Sequence, residues 1–480
     1  MIAYFTYLTI FLAVLFPLIY IIRRKPDLSF WFLVNIYFDP GGYINFYFEG
    51  KTFLNLNLSD VAIVLILFCL IAVKTNYKII YENQFLVKFY KVFFVFAIYF
   101  FVFYGFVVPY LNNDLNYVLF LQKNRTFFYY VIILTSAYIF ALRGLKYFYL
   151  TTLFLCIFIL SSFLISLVTG LKIVPIDIYE RYSGSEMMRI TILSWGLFYI
   201  LFPLSFILFL FSYKIKLNLK YTKLLYFAGM LMIVTLLITL TRRNYIGISS
   251  SIFIIILLNS YIFRRSKIFA FVKILVPMSI VLLIIYLTLP KYVDYIANIS
   301  QDTFQLISKG TARGEQEYRI TGTGDLLITK KYIADNLILG TGYNYLHWGG
   351  EEEIALSSRG SEFALASDAA KEVPIYNIFF SFGLAGFIIM LFLYSYLIKL
   401  FLRLYSLLKK NINILIAYPY DLLFSIFILY MIADKFTFSL YTLGTDFTTP
   451  YYGIFIGIGF ALLHKLKIIT RNEVDSTQNT

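Results

Sequence analysis

Thr241-Arg242-Arg243-Asn244 is a short polar interruption between two apolar stretches. Two adjacent guanidinium groups at the tip of a helical hairpin suit an anion, phosphate above all: each planar fork holds two oxygens and never loses its charge. The blander reading is a pair of arginines snorkelling to lipid headgroups. Arg181 and Arg189, flanking Tyr182-Ser183-Gly184, add two more cations, which either meet a ligand or pair with Glu180 and Glu186. Asp368 and Glu372 are four residues apart and share one face of a helix that starts early enough. Acids at a helix N-terminus are also favoured by the dipole alone. His347 beside Trp348 is placed for contact with a carbohydrate or a headgroup, and the second histidine, His464, lies far along the chain. No metal site is expected from two separated histidines, and Glu351-Glu352-Glu353 reads as a solvated acidic face rather than a calcium site. No cofactor is implied.

The elements that must position these residues are transmembrane helices. The chain of 480 residues is 60% hydrophobic and only 14% charged, far from ordinary globular usage. Apolar runs of about 20 residues recur along it, each able to cross roughly 30 Å of hydrocarbon as helix. Runs of that length exclude barrel strands. A net charge of +15 would suggest nucleic acid in a soluble protein. Here the basic residues sit in short loops, so they mark topology and no nucleic-acid partner is expected. Cys69 and Cys156 both fall inside apolar spans, which argues against a disulfide framework.

The expected spans are 2–22, 58–73, 92–110, 127–142, 147–168, 191–212, 224–240, 245–263, 268–289, 373–398, 414–432 and 451–464. The run Ile2–Ile22 lacks a basic leader and reads as a retained helix. Ser29–Phe38 is short and ends at the turn signal Asp39-Pro40-Gly41-Gly42; it either crosses or re-enters, so the fold class is all-α integral membrane with about 12 helices, or 13. Asp60 follows Ser59 at a helix start and reads as a cap.

Lysine and arginine set the orientation. Cytoplasmic loops are expected at Lys74–Lys91, Arg143–Lys146, Lys214–Lys223, Arg264–Lys267 and Lys399–Lys410, with Lys465, Lys467 and Arg471 on an inner tail. Arg23, Arg24 and Lys25 also belong inside, which requires 29–38 to cross and leaves the placement of the N-terminus open. Four segments then lie outside: 169–190, Thr241–Asn244, 290–372 and 433–450. Three regions follow: N-terminal transmembrane helices (1–289), one large extracytoplasmic loop (290–372), and C-terminal helices with a short cytoplasmic tail (373–480). The loop carries twelve acidic and eight basic side chains, too polar for lipid. Within it Asp325–Asn336 alternates apolar and basic faces at helical spacing, as an interfacial helix does. Gly340 and Gly342 then allow a tight exit. Tyr343, Tyr345 and Trp348 are candidates to stack on sugars.

Three stretches resemble the O-antigen polymerase and O-antigen ligase superfamily of membrane glycosyltransferases. Leu240-Thr241-Arg242-Arg243-Asn244 is similar to the family's Ser/Thr-Arg opening of a hydrophobic helix. Asn336-Leu337-Ile338-Leu339-Gly340-Thr341-Gly342 is similar to its Pro-Leu-Leu-Gly-x-Gly segment after an amphipathic helix. Glu372-Val373-Pro374-Ile375-Tyr376-Asn377, leading into Phe382-Gly383-Leu384-Ala385-Gly386, is similar to its His-Asn…Gly-Leu-x-Gly at the start of a late helix. The chain departs from the pattern with Leu337 after Asn336, and with Glu372 where the ligases carry histidine. That second departure favours a polymerase over a ligase.

The resemblance implies a GT-C-like membrane glycosyltransferase that polymerises undecaprenyl-diphosphate-linked repeat units into a surface polysaccharide: O-antigen, capsule or exopolysaccharide. It places the enzyme in a bacterial inner membrane with its active site on the extracytoplasmic face. Membrane lipid, a flippase and a chain-length regulator are the implied partners. Arg242 and Arg243 would stabilise the leaving diphosphate without a metal. Glu372 or Asp368 would take the acceptor's proton, with inversion at the anomeric centre. Arg181 and Arg189 resemble the family's outer-loop arginine region, and Arg313 and Arg319 precede the amphipathic helix, where relatives place a substrate-contacting arginine. Two alternatives stand beside this: a ligase moving finished polysaccharide to lipid A core or protein, and a lipid-linked oligosaccharide flippase. A flippase predicts mid-depth polar residues and related halves, of which the sequence has few.

Overall fold

A computed structural model of the chain describes residues 18–38, 58–74, 77–169, 171, 176–180, 188–192, 198–212, 217–238, 242–263, 324–343, 363, 366–367, 370, 374–437 and 450–478. Among them, five helices are long and apolar enough to cross a membrane: Gln84–Leu111, Tyr117–Arg143, Lys146–Ser166, Tyr376–Leu415 and Tyr452–Arg471. Asp60–Ala72, Thr222–Met232 and Ser250–Ile262 are apolar but shorter. The protein is thus an all-helical membrane protein with one small β-hairpin. Helices are required because lipid offers no partner to a backbone N–H or C=O. The expected span 268–289, and 2–22 before residue 18, lie outside the described residues.

In chain order the helices are α1 (Pro26–Phe38), α2 (Leu58–Ala72), α3 (Gln84–Leu111), α4 (Thr126–Arg143), α5 (Lys146–Thr169), α6 (Phe198–Ser212), α7 (Thr222–Ile238), α8 (Arg242–Phe263), α9 (Gly324–Asp335), α10 (Pro374–Leu415), α11 (Pro419–Thr437) and α12 (Pro450–Gln478). Between α5 and α6, strands β1 (Ile176–Glu180) and β2 (Met188–Ile192) pair antiparallel, with Ile176 opposite Ile192 and Tyr179 opposite Arg189.

The tightest helix pair is α4 with α12. Gly453 and Gly457, one turn apart, face α4, and a Cβ on Gly457 would collide with the Leu134 carbonyl. Small residues at this spacing let two backbones approach where lipid supplies no hydrophobic drive between helices.

α1 packs lengthwise against its neighbours. Asp27 pairs with Arg143 at 2.6 Å, at the C-terminal end of α4. Phe30 stacks on Phe140 at 4.0 Å and Trp31 on Phe148 at 4.6 Å. Further along, Asn35 donates to Thr151 Oγ1 at 2.9 Å and accepts from Thr152 at 3.0 Å. Phe38 reaches Phe455 near the start of α12. α1 therefore runs one way beside α5 rather than turning back. Other expected inner clusters gather at this end too: Lys465 lies 2.7 Å from Asp421, Arg403 sits over the Phe85 ring, and the Lys220 N–H reaches the Tyr420 hydroxyl.

Three expected boundaries are corrected. α10 continues to Leu415, so Lys399, Arg403, Lys409 and Lys410 ride on helix and not on a loop. The reason is the buried stripe Leu400, Leu404 and Leu408, a helical periodicity that outlasts the hydropathy. α12 likewise runs on to Gln478. The span expected from residue 191 begins at Phe198, because Met188–Ile192 is spent on the hairpin. Its β-branched alternation finds a partner in Ile176–Glu180.

Candidate functional site

The site lies at the end of the bundle away from Arg143, where two of the three motif stretches cross. α10 is broken at Gly383, whose φ of 61° and ψ of −169° belong to no helix. A break inside a membrane helix frees backbone groups that must be satisfied elsewhere. Here the segment 337–342 and the Tyr99 hydroxyl satisfy them. The Phe380 carbonyl accepts from the Thr341 N–H at 2.7 Å and from its hydroxyl at 2.9 Å. The Ser381 carbonyl accepts from the Gly342 N–H at 3.3 Å. The Phe382 carbonyl accepts from the Tyr99 hydroxyl at 2.5 Å. In the other direction, the N–H groups of Leu384 and Ala385 donate to the carbonyls of Leu337 and Ile338 at 2.8 and 3.0 Å. Gly340, at φ 72°, sits directly against Gly383: a Cβ on Gly340 would lie 2.6 Å from the Gly383 nitrogen. Two backbones meet here with no room for a side chain on either.

α3 supplies the third side of this crossing through a π-helical stretch, Tyr99–Val107. In that register Val108 donates to the Phe103 carbonyl, so the next donor, to Tyr104, would be residue 109. Residue 109 is proline and has no N–H. The Tyr104 carbonyl accepts instead from Tyr343 at 2.9 Å. π-helical turns recur at functional sites; this one receives the end of the loop.

Tyr343 is accordingly corrected. Expected to stack on sugars, it is 5% exposed and packs edge-on against Phe120 and Tyr104. α9 forms where the spacing places a helix, Gly324–Asp335, but its apolar stripe is not turned to lipid. Ile328, Tyr332 and Ile333 pack on Phe363, Ala366, Ala370 and Phe380, and Lys330 and Lys331 are left exposed.

An open cleft of about 450 Å³ lies beside the crossing, between the end of α3 and residues 334–340. Val108, Leu111, Leu337 and Ile338 form apolar walls, and Asn112, Asp335 and Asn336 contribute the polar groups.

Asp60 has a long-range role beside the local one expected of it. It is buried in the first turn of α2, 3.3 Å from Arg125 and hydrogen-bonded by the Tyr129 hydroxyl, tying α2 to the start of α4. Its charge, apolar setting and distant partner made it indistinguishable from a cap by local sequence alone. Arg125→Ala leaves the carboxylate buried without its cation and is expected to destabilise the protein by about 2–3 kcal/mol, discounted from the fully buried case because Arg125 is partly exposed. Thermal unfolding in lipid nanodiscs checks this. Asp60→Asn in the same background should restore part of the loss, and no restoration would refute the pairing.

The remaining expected residues are placed as follows. Arg242 and Arg243 are the first two residues of α8, although their side chains lie outside the described residues. α8 packs against α11, where the Ser251 and Tyr430 hydroxyls meet at 2.6 Å. Arg189 is on β2, again without a described side chain. Arg181, Arg313, Arg319, His347, Asp368 and Glu372 lie outside the described residues, as do Tyr345 and Trp348. The structure thus joins the second motif stretch to the third through backbone contacts. Asn112 and Asp335 were not singled out by sequence, because neither stands in a motif and their proximity is created only by folding.

No protein-family model, no curated protein and no solved structure matches this chain.

Proposed function

We propose that this protein is a membrane glycosyltransferase that polymerises undecaprenyl-diphosphate-linked oligosaccharide repeat units into a surface polysaccharide. The observation that carries the reading is the crossing itself. Two stretches similar to polymerase and ligase motifs, more than 40 residues apart in the chain, exchange backbone hydrogen bonds around paired glycines.

On this reading the full chain has 12 or 13 spans in a GT-C-like arrangement, lies in a bacterial inner membrane, and works on the extracytoplasmic side. Arg242 and Arg243 hold the donor diphosphate, with Arg181, Arg189, Arg313, Arg319 and His347 as further contacts. Glu372 or Asp368 activates the acceptor hydroxyl. A diphosphate already carries two negative charges, so guanidinium groups suffice to stabilise it as it leaves. A flippase and a chain-length regulator of the same route are its partners.

The test is the species that accumulates when the gene is deleted from its host. Single repeat units on the final acceptor are expected. Long chains retained on the carrier would assign a ligase instead, and units trapped on the cytoplasmic side a flippase. An unchanged polysaccharide would remove the proposal.

A further inference from the structure

The cleft beside the crossing has a chemistry of its own. Its walls are aliphatic and exposed: Leu111 is 68% exposed, Ile338 70% and Leu337 49%. Its polar groups are two carboxamides and one carboxylate, those of Asn112, Asn336 and Asp335. The Asn336 amide nitrogen donates to the Tyr332 carbonyl at 3.0 Å, which fixes the orientation of that carboxamide. Among the residues lining the cleft none is cationic. The one charged group in the lining, the Asp335 carboxylate, repels a lipid phosphate, so the lining disfavours an anion. Neutral hydroxyl groups are the complementary partner, since carboxylates accept and carboxamides both donate and accept. About 450 Å³ falls within the range of sites for small organic ligands.

We infer that this cleft binds a sugar ring of an amphipathic glycan, with ring hydroxyls on Asp335, Asn112 and Asn336 and the attached apolar chain along Leu111, Leu337 and Ile338. The inference rests on the proposed glycosyl transfer and deepens it. It gives the glycan a seat against the very segment that locks α10. The sugar is recognised where the loop is rigid: residues 337–342 are held on both sides by backbone bonds. Asp335 acts here as a binding group.

The experiment is photo-crosslinking of the full-length protein in phosphatidylglycerol nanodiscs. Three probes share one diazirine-bearing alkyl chain and differ in headgroup: glucoside, triethylene glycol or phosphate. The labelled peptides are mapped by mass spectrometry. The glucoside is expected to label 105–123 and 330–343 in preference to the other two. Asp335→Asn and Asn112→Ala should each reduce that labelling about fivefold, the loss expected for one hydrogen bond. Equal labelling by triethylene glycol would make the cleft an apolar lipid groove and overturn the inference. So would preference for phosphate, or labelling unchanged in both variants. The deletion phenotype separates the two claims. Selective glucoside labelling without single-unit accumulation keeps the cleft and removes the polymerase. Accumulation without selective labelling does the reverse.

Discussion

Gly383→Ala is expected to abolish recovery of folded protein, or at minimum to cost about 3 kcal/mol. The backbone there has a φ of 61° with ψ near 180°, a region that is essentially closed to any residue with a Cβ, at about 1–3 kcal/mol of strain. A methyl group would also lie 2.5 Å from the Ile338 carbonyl oxygen and would clash with the Gly340 nitrogen. Relief requires the two segments to part, and parting them strands the carbonyls of Phe380 and Ser381 together with the N–H groups of Leu384 and Ala385. Each buried unsatisfied group costs roughly 1–3 kcal/mol, and a protein holds only about 5–15 kcal/mol in total. Thermal unfolding followed by size-exclusion chromatography measures the effect. Tyr99→Phe, which removes only the hydroxyl that faces the Phe382 and Leu339 carbonyls, provides the scale at about 1–2 kcal/mol. If Gly383→Ala melts like the wild type, α10 is not broken at that position.

This crossing shows what could be read from the chain and what could not. Gly340 and Gly342 were legible as a tight exit from α9, because glycine in a polar-to-apolar transition has few other uses. Gly383 was visible only as part of a motif; that it breaks a helix follows from a partner more than 40 residues away, which no local pattern contains. The π-helical turn was likewise hidden, although Pro109 in an apolar run was its signal. Hydropathy placed the centres of most described spans well and their ends poorly. It stopped at Lys399, where charges begin, whereas the leucines at 400, 404 and 408 keep the helix packed beyond the apolar zone. The hairpin was missed for the opposite reason: the span taken to begin at residue 191 absorbed the end of Met188–Ile192, and five alternating residues are too few to stand out beside a long apolar run. Asp60 and Arg125 are 65 positions apart, and opposite charges at that separation carry no sequence signal at all. Local chemistry was legible, and long-range pairing was not.

The arginine pair is where the functional reading is most exposed. Arg242 and Arg243 are the first residues of α8, so the positive dipole end of that helix sits beside them. Fixed cations and a helix N-terminus reinforce each other toward an anion, and a departing diphosphate gains charge as the glycosidic bond breaks. On the proposed glycosyl transfer, Arg242→Ala with Arg243→Ala is expected to lower the rate of polymerisation by about 100-fold or more, the scale of losing one preorganised donor to a developing anion. The assay uses purified protein in nanodiscs with undecaprenyl-diphosphate-linked repeat units, so that abundance does not enter the rate. Replacement of both by lysine keeps the charge but loses the two-pronged geometry, and should recover only part of the activity. Arginines that merely snorkel to headgroups predict a different pattern: lower insertion and yield, with the rate per folded molecule unchanged. That outcome would remove the diphosphate site from α8 while leaving the crossing at Gly383 intact, because the two rest on separate observations.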